Sequence, residues 1–413
     1  MRGFLASLSF ILLACGADSA VCADASTSDN VTNDDVITLG AAVSLTGKYA
    51  LNGTNTKNGY DLAVQQINEK GGVKVGDKSY ELKVRYYDDE STPARGTELV
   101  ERLIQQDRVL YILGPYSSGL TKAILPIVER YKVPMVEANG AARELFTKGY
   151  RYIFAVLSTS DQYLTPAIEL AAQNAEKLGK APSEITVAMA TENDPFAQDV
   201  RAGVLADLQR YGMNFVVDDQ LPPELNDMTV TLAKIKALTP DVLVVSGHEK
   251  GALTAVTQIE ALRVNVPVVA LTHCDSAQIA KKLRKASQHV FCAHQWHRSL
   301  DHKGTLFGSA AEFAKRFEAV YGYEAPYQAA QSAAAVYVFA DAFSRAKSLD
   351  PETVRDAISA TDLPTFYGPI KFDQTGKNIA KSMVLTQIIE GKYVVVAPKK
   401  WATAEPVIPR PKH

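Results

Sequence analysis

From Val36 almost to its end, the chain alternates short apolar runs with longer amphipathic stretches. The run over 36–45 reads as a strand, and the next stretch carries Tyr60, Ala63, Val64 and Ile67 at the spacing of one helix face. That spacing predicts a helix over about 54–70. Gly71 and Gly72 end it, because glycine tolerates the positive φ of a helix terminus. Residues 80–87 read as a strand, and 93–106 as a helix opened by Pro93. The unbroken apolar run 109–113 fits a strand covered on both faces. A helix with Leu120, Ala123, Ile124, Ile127 and Val128 on one side follows, then strands at 133–137 and 153–156. After Leu157 the alternation resumes, with helices at 161–178, 194–211, 228–237, 249–262 and 277–286. Strands fall between them at 185–189, 215–217, 241–245, 267–271 and 290–293. Long helices return at 311–321 and 329–346, and the tail over 370–396 is β-rich.

Such alternation means parallel sheets flanked by helices. The units are too many for one comfortable sheet, and 413 residues suit two domains. The expected fold is therefore α/β, with two doubly wound lobes built on parallel central sheets. The first lobe is placed at 36–157 plus 297–361 and the second at 158–296 plus 362–413, with Leu157–Asp161 as one crossover.

A hydrophobic share of 46% and a charged share of 22% are those of an ordinary globular protein. The net charge of -2 argues against a general nucleic-acid or membrane-surface binder, which needs a basic excess. Residues 1–23 read as a signal peptide: Arg2, an apolar run from Phe4 to Leu13, and a small-residue site at Val21-Cys22-Ala23. A competing lipobox, Leu12-Leu13-Ala14-Cys15-Gly16, would leave a lipid anchor on Cys15. The leucine before Ala14 is less usual there, so simple secretion to the periplasm is the expected route. Residues 24–35 are small and polar and read as a disordered tether. No later apolar stretch approaches the roughly twenty residues of a membrane helix. Cys274 and Cys292 survive either processing route. An oxidising compartment allows them to pair, and two separately buried small hydrophobes is the alternative.

In open parallel sheets, ligands sit outside the carboxyl ends of the strands. The loops there carry Tyr116, Ser117 and Ser118 at a helix start, and Asn139, Gly140, Ala141 and Ala142 after the next strand. Hydroxyls and free N–H groups at a helix N-terminus suit an anion, and small residues let a ligand approach backbone N–H groups. In the second series the matching loops carry Phe196, His248, His273 and Trp296, as flat walls and hydrogen-bond donors. The group His289, Cys292, His294, His297 and His302 does not show the convergence a metal needs, so no metal is expected. No dinucleotide fingerprint, phosphate loop or nucleophile elbow is present, and neither a cofactor nor enzymatic turnover is expected.

At these residues the chain resembles the leucine/isoleucine/valine-binding branch of periplasmic binding proteins, from Ile37 to about Val396. The resemblance is most specific at Ala63–Gly72, Tyr86–Pro93, Gly114–Thr121 and Ala138–Leu145. It implies a type I periplasmic-binding-protein fold, in which a hinge of three crossovers joins the lobes and closes on a ligand. It also implies an inner-membrane ABC permease as partner, driven by a cytoplasmic ATPase and served by a monomer. In amino-acid binders of this family a serine at the position of Ser118 holds the ligand carboxylate, helped by backbone groups matching Gly140 and Ala142. Here the threonine hydroxyl common at Ala142 is missing, and His273 stands where an acidic residue pairs the ligand's ammonium. His248 stands where an aromatic often occurs. A histidine does not offer a buried ammonium the compensation of a carboxylate. Unless Asp275 or Glu249 substitutes, the expected ligand is an organic acid, aromatic ones and amides included, with a branched or aromatic amino acid close behind. A sensing role through a separate partner is the alternative to feeding a permease.

Overall fold

The computed structural model describes residues 35–411. The expected signal peptide, both processing sites and all but the last residue of the expected tether lie outside them. The first sheet is built from β1 (Val36–Val43), β2 (Val73–Val75), β3 (Lys78–Asp88), β4 (Ile112–Leu113), β5 (Met135–Glu137) and β6 (Ile153–Ala155). Their order is β2-β3-β1-β4-β5-β6. All run parallel except β2, which pairs antiparallel with β3.

The second sheet begins with β7 (Thr186–Glu192), β8 (Asn214–Leu221), β9 (Val242–Ser246), β10 (Val268–Leu271) and β11 (Phe291–His294). A small ribbon of β12 (Lys303–Gly304) and β13 (Gly308–Ser309) follows, then a hairpin of β14 (Asp362–Thr365) and β15 (Gly368–Lys371). The chain returns to the second sheet with β16 (Val384–Ile389) and β17 (Lys392–Ala397), which give the order β17-β16-β11-β10-β9-β7-β8. β7 to β11 are parallel, and the two last strands are antiparallel. The chain leaves the first sheet for the second after β6, returns after β11 with helix Tyr327–Ala346, which packs on β2 and β5, and rejoins the second sheet at β16. This is the expected pair of doubly wound lobes joined by three crossovers.

Burial follows the apolar pattern. β9 is buried along its whole length, as a strand covered on both faces must be. On the first sheet the helices Ala50–Glu69 and Tyr327–Ala346 pack against each other. Gly59 lets them approach: a Cβ there would lie 2.2 Å from the Ala329 carbonyl oxygen.

Two expected helices are shorter than the pattern implies. The stretch 161–178 is a 3-10 turn at Ser160–Gln162, an α-helix over Thr165–Gln173 and a second 3-10 turn at Ala175–Leu178. Pro166 has no N–H to continue a helix from residue 162, and the Asn174 side chain donates to the Leu170 carbonyl. The expected helix 277–286 reduces to Ile279–Lys282, because Gln278 adopts a left-handed φ of 54°.

Candidate functional site

Both sheets share one topology. β1 stands between β3 and β4, and β7 stands between β8 and β9, so each sheet has a switch point where successive loops diverge and leave a crevice. Loops from both sheets meet around one cavity. Tyr116, Ser117 and Ser118 come from the end of β4, Asn139 from β5, Phe196 from β7, His248 from β9 and His273 from β10. All are buried. Their side chains leave about 10 Å³ of free space, roughly one water molecule.

A chain of hydrogen bonds crosses the cavity. His273 Nδ1 lies 2.8 Å from the Gly247 carbonyl oxygen, which only accepts, so the ring carries its proton there and Nε2 is an acceptor. The Tyr116 hydroxyl, 3.0 Å away, therefore donates to His273 Nε2 and accepts from His248 Nδ1 at 2.9 Å. His248 Nε2 meets the Asp194 carboxylate at 2.6 Å. With both ring nitrogens donating, His248 is an imidazolium. Burial opposes that charge, but Asp194 outweighs it and lifts the pKa to about 9. Asp194 is held below its ordinary value for the same reason, against its own burial. His273 is pushed down to about 3, by burial first and then by the His248 charge. Asp194 is also the N-cap of helix Pro195–Tyr211, accepting from Ala197 N–H, which fixes its position.

Two cavity residues sit in left-handed backbone that non-glycine residues adopt at a cost: Ser117 at φ 85° and His273 at φ 58°. Ser117 caps the helix Ser118–Tyr131 through Leu120 N–H. Ser118 Oγ accepts from the backbone N–H groups of Ala141 and Ala142, both at 3.0 Å. With its accepting capacity occupied, its remaining capacity is to donate. Beneath it, Glu137 Oε1 accepts from Asn139 N–H at 2.6 Å and Gly140 N–H at 2.8 Å. Thr121 has one hydroxyl hydrogen for two acceptors, the Ser117 carbonyl at 2.9 Å and Glu137 Oε2 at 2.8 Å. A proton on Glu137 satisfies both, and burial lifts that carboxyl to about 7.

Several residues singled out in the sequence are not brought to the cavity. The N–H groups of Gly140, Ala141 and Ala142 are committed to Glu137 and Ser118. Glycine at 140 serves close packing instead: a Cβ would lie 2.3 Å from Thr121 Oγ1. Trp296 is buried elsewhere, edge-on to Phe313 with Nε1 donating to the Phe366 carbonyl. It lines a separate cavity of about 500 Å³ together with Asp275, His294 and Tyr323. Asp275 accepts from Tyr327 N–H, and Glu249 accepts from the Asn52 amide, so neither carboxylate lines the Tyr116 cavity. Conversely, Tyr163, Tyr327, Gln328 and Gln331 line it without having been singled out. They come from a crossover and from the long helix Tyr327–Ala346, both outside the strand-end loops.

Cys274 and Cys292 are bonded, with Cα atoms 5.8 Å apart, which ties the loop bearing His273 to β11. Cys292 is thereby removed from any metal set, and Nδ1 of His294 and of His297 meets the Thr386 and Ser299 hydroxyls respectively. Among the described residues one group has metal-ligating atoms within 4.8 Å of one another: Glu192, Asp194 and His248. Those atoms are committed, His248 to Asp194 and Glu192 to the N–H groups of Glu224 and His248. No described helix is long and apolar enough to cross a membrane.

Two doubly wound lobes with three connections are the architecture of a type I periplasmic binding protein. The chain belongs to the periplasmic binding protein family, whose profile matches residues 36–392. It is 25% identical over 385 residues to the Leu/Ile/Val-binding protein homolog 7 of Brucella suis, covering 91% of this chain and 94% of that one. Among solved structures it is similar to the leucine-binding protein LivK of Thermotoga maritima (TM-score 0.76, 21% identity, 87% and 98% of the two chains). It is similar also to a solute-binding protein of an ABC transporter from R. palustris in complex with benzoate (TM-score 0.72, 21% identity, 87% and 95%).

Proposed function

We propose that this protein captures a small organic acid lacking an α-amino group between its two lobes and delivers it to an inner-membrane ABC permease from the periplasm. The observation that carries this reading is the charge of the cavity lining. Ser118 has a hydroxyl proton to donate, His248 is cationic, and no carboxylate lines the cavity. A buried ammonium would find no carboxylate on that lining, whereas a ligand carboxylate meets the Ser118 donor beside an imidazolium whose charge Asp194 already balances. Tyr116, Tyr163, Phe196 and Tyr327 supply flat walls suited to an aromatic ring. The benzoate complex of a protein with this fold fits the same class of ligand.

The side chains fill the cavity too closely to admit such an acid, so the liganded form is one in which the lobes close less tightly than here, around the acid. We place their limits near residues 157 and 296, and the last passage between 371 and 384 rather than at 361. A ligand favours the closed form only by as much as it binds that form better. The amino-acid reading rests on the relatives named for leucine, isoleucine and valine.

Thermal denaturation of the mature chain against a panel of acids and amino acids tests the proposal, because a ligand that binds only the native state raises the midpoint. Stabilisation by acids such as benzoate or 4-methylpentanoate is expected. Stabilisation by leucine, isoleucine or valine with none by the acids would replace it with the amino-acid reading.

A further inference from the structure

The Tyr116 cavity contains two polar side chains that the protein leaves unmatched among the described residues, the Tyr327 hydroxyl and, with both halves of its amide free, Gln328. Gln328 is 0% exposed, and neither its amide oxygen nor its amide nitrogen has a hydrogen-bond partner among the described residues. Its other polar neighbours, Gln331 and Asn139, are engaged. On the same helix, Gln331 donates to Asn139 Oδ1 at 2.7 Å and accepts from the Tyr367 hydroxyl at 3.1 Å. Asn139 in turn donates to Thr56 and Ser332. The Gln328 amide, with the Tyr327 hydroxyl beside it, therefore stands out against an otherwise engaged polar network. Burying an amide without partners is disfavoured, and each such group in a native protein calls for an explanation, of which a bound partner is one.

The placement of Gln328 defines what that partner is. It belongs to the first turn of helix Tyr327–Ala346, while the cationic His248 belongs to the loop after β9 of the other sheet. The cavity-lining groups beside Gln328 on its own helix are uncharged: the Tyr327 hydroxyl and the Gln331 amide. A second charge on the ligand would find no compensation there. A glutamine amide offers one acceptor and two donor hydrogens, and a hydroxyl both donates and accepts. A single hydroxyl engages either half of the amide, and a vicinal pair engages both.

We infer that Gln328 is a specificity-determining residue that reads an uncharged hydroxyl on the ligand, so that the preferred ligands are hydroxylated organic acids rather than plain ones. This rests on the organic-acid reading above and narrows it. The discriminating power is that of a buried polar group, which penalises an analogue unable to match it more heavily than an apolar pocket penalises an added group.

The test is a titration of the mature protein with benzoate, the monohydroxybenzoates, 3,4-dihydroxybenzoate and the matching methylbenzoates. At least one hydroxylated acid is expected to bind roughly 10- to 100-fold more tightly than both benzoate and its methyl counterpart. In Gln328→Leu and Gln328→Met that ratio is expected to fall to within about 3-fold. Two variants are used so that a folding defect in one does not decide the matter, and circular dichroism checks both. Benzoate binding with no preference for any hydroxylated acid, or a preference that survives both substitutions, would overturn the role of Gln328 and leave the organic-acid reading standing. Binding of leucine and of no acid would overturn both.

Discussion

The Tyr116 hydroxyl and His248 Nδ1 lie 2.9 Å apart, on loops that belong to different sheets. Because Tyr116 also donates to His273, one phenol joins two second-lobe loops to the first lobe. Tyr116→Phe removes both bonds and leaves a buried imidazolium short of an acceptor. The expected outcome is an acid affinity about 10-fold weaker and a larger radius of gyration without ligand, read by calorimetry and small-angle scattering. An unchanged radius and affinity would show that this contact does not hold the lobes together.

Ser118 is expected to donate its proton to the ligand carboxylate. Ser118→Ala removes that donor together with the acceptor shared by Ala141 and Ala142 N–H. Acid binding should weaken by roughly 1–3 kcal/mol in a titration. An unaltered dissociation constant would remove Ser118 from the site.

The two cavity histidines should titrate far apart. His248, raised to about 9, carries a stabilising contribution that is complete below its unfolded value of about 6.5 and is lost as pH rises through 9. His273, lowered to about 3, works in the opposite direction: its neutral form favours the native state above about 6.5, and that advantage is lost as pH falls toward 3. Ring chemical shifts of His248, assigned against His248→Gln, should move near pH 9, with those of His273 flat from 5 to 9. Titration of His248 near its unperturbed value would break the Asp194 pairing argument.

Glu137 presents the reverse case for a carboxyl. Its native value of about 7 exceeds its unfolded value, so its contribution is complete below about 4.5 and is lost as pH rises through 7. Glu137→Gln keeps an acceptor for Asn139 and Gly140 N–H and a donor for Thr121. The variant is expected to match the parent near pH 5 and to exceed it by about 3 kcal/mol near pH 9, measured by urea unfolding. A variant less stable at both pH values would mean that the site requires the ionised carboxylate.

The lobes were legible because parallel strands buried on both faces write long apolar runs, as in β9, and because most connections are short. Helix limits were less so: Pro166 and the left-handed Gln278 cut two amphipathic stretches whose periodicity continues past them. Strand-end reasoning points to Tyr116, Ser117, Ser118, Asn139, Phe196, His248 and His273, which share one cavity, since a strand end places its loop without reference to the rest of the chain. It does not point to Gln328 and Tyr327, which enter that cavity from a helix far along the sequence, and Trp296 lines a different cavity. Nothing local in a sequence separates an aromatic that faces the cavity from one packed against Phe313.

If the bound ligand lacks an ammonium group, matched pairs of acids that differ only there will bind very differently. Calorimetric titration would compare 3-phenylpropionate with phenylalanine, and 4-methylpentanoate with leucine. At least one des-amino acid is expected to bind at least roughly 100-fold more tightly than its amino acid, since an unpaired buried ammonium is disfavoured by several kcal/mol. Tight binding of leucine or phenylalanine, with neither des-amino partner detectable, would contradict the account.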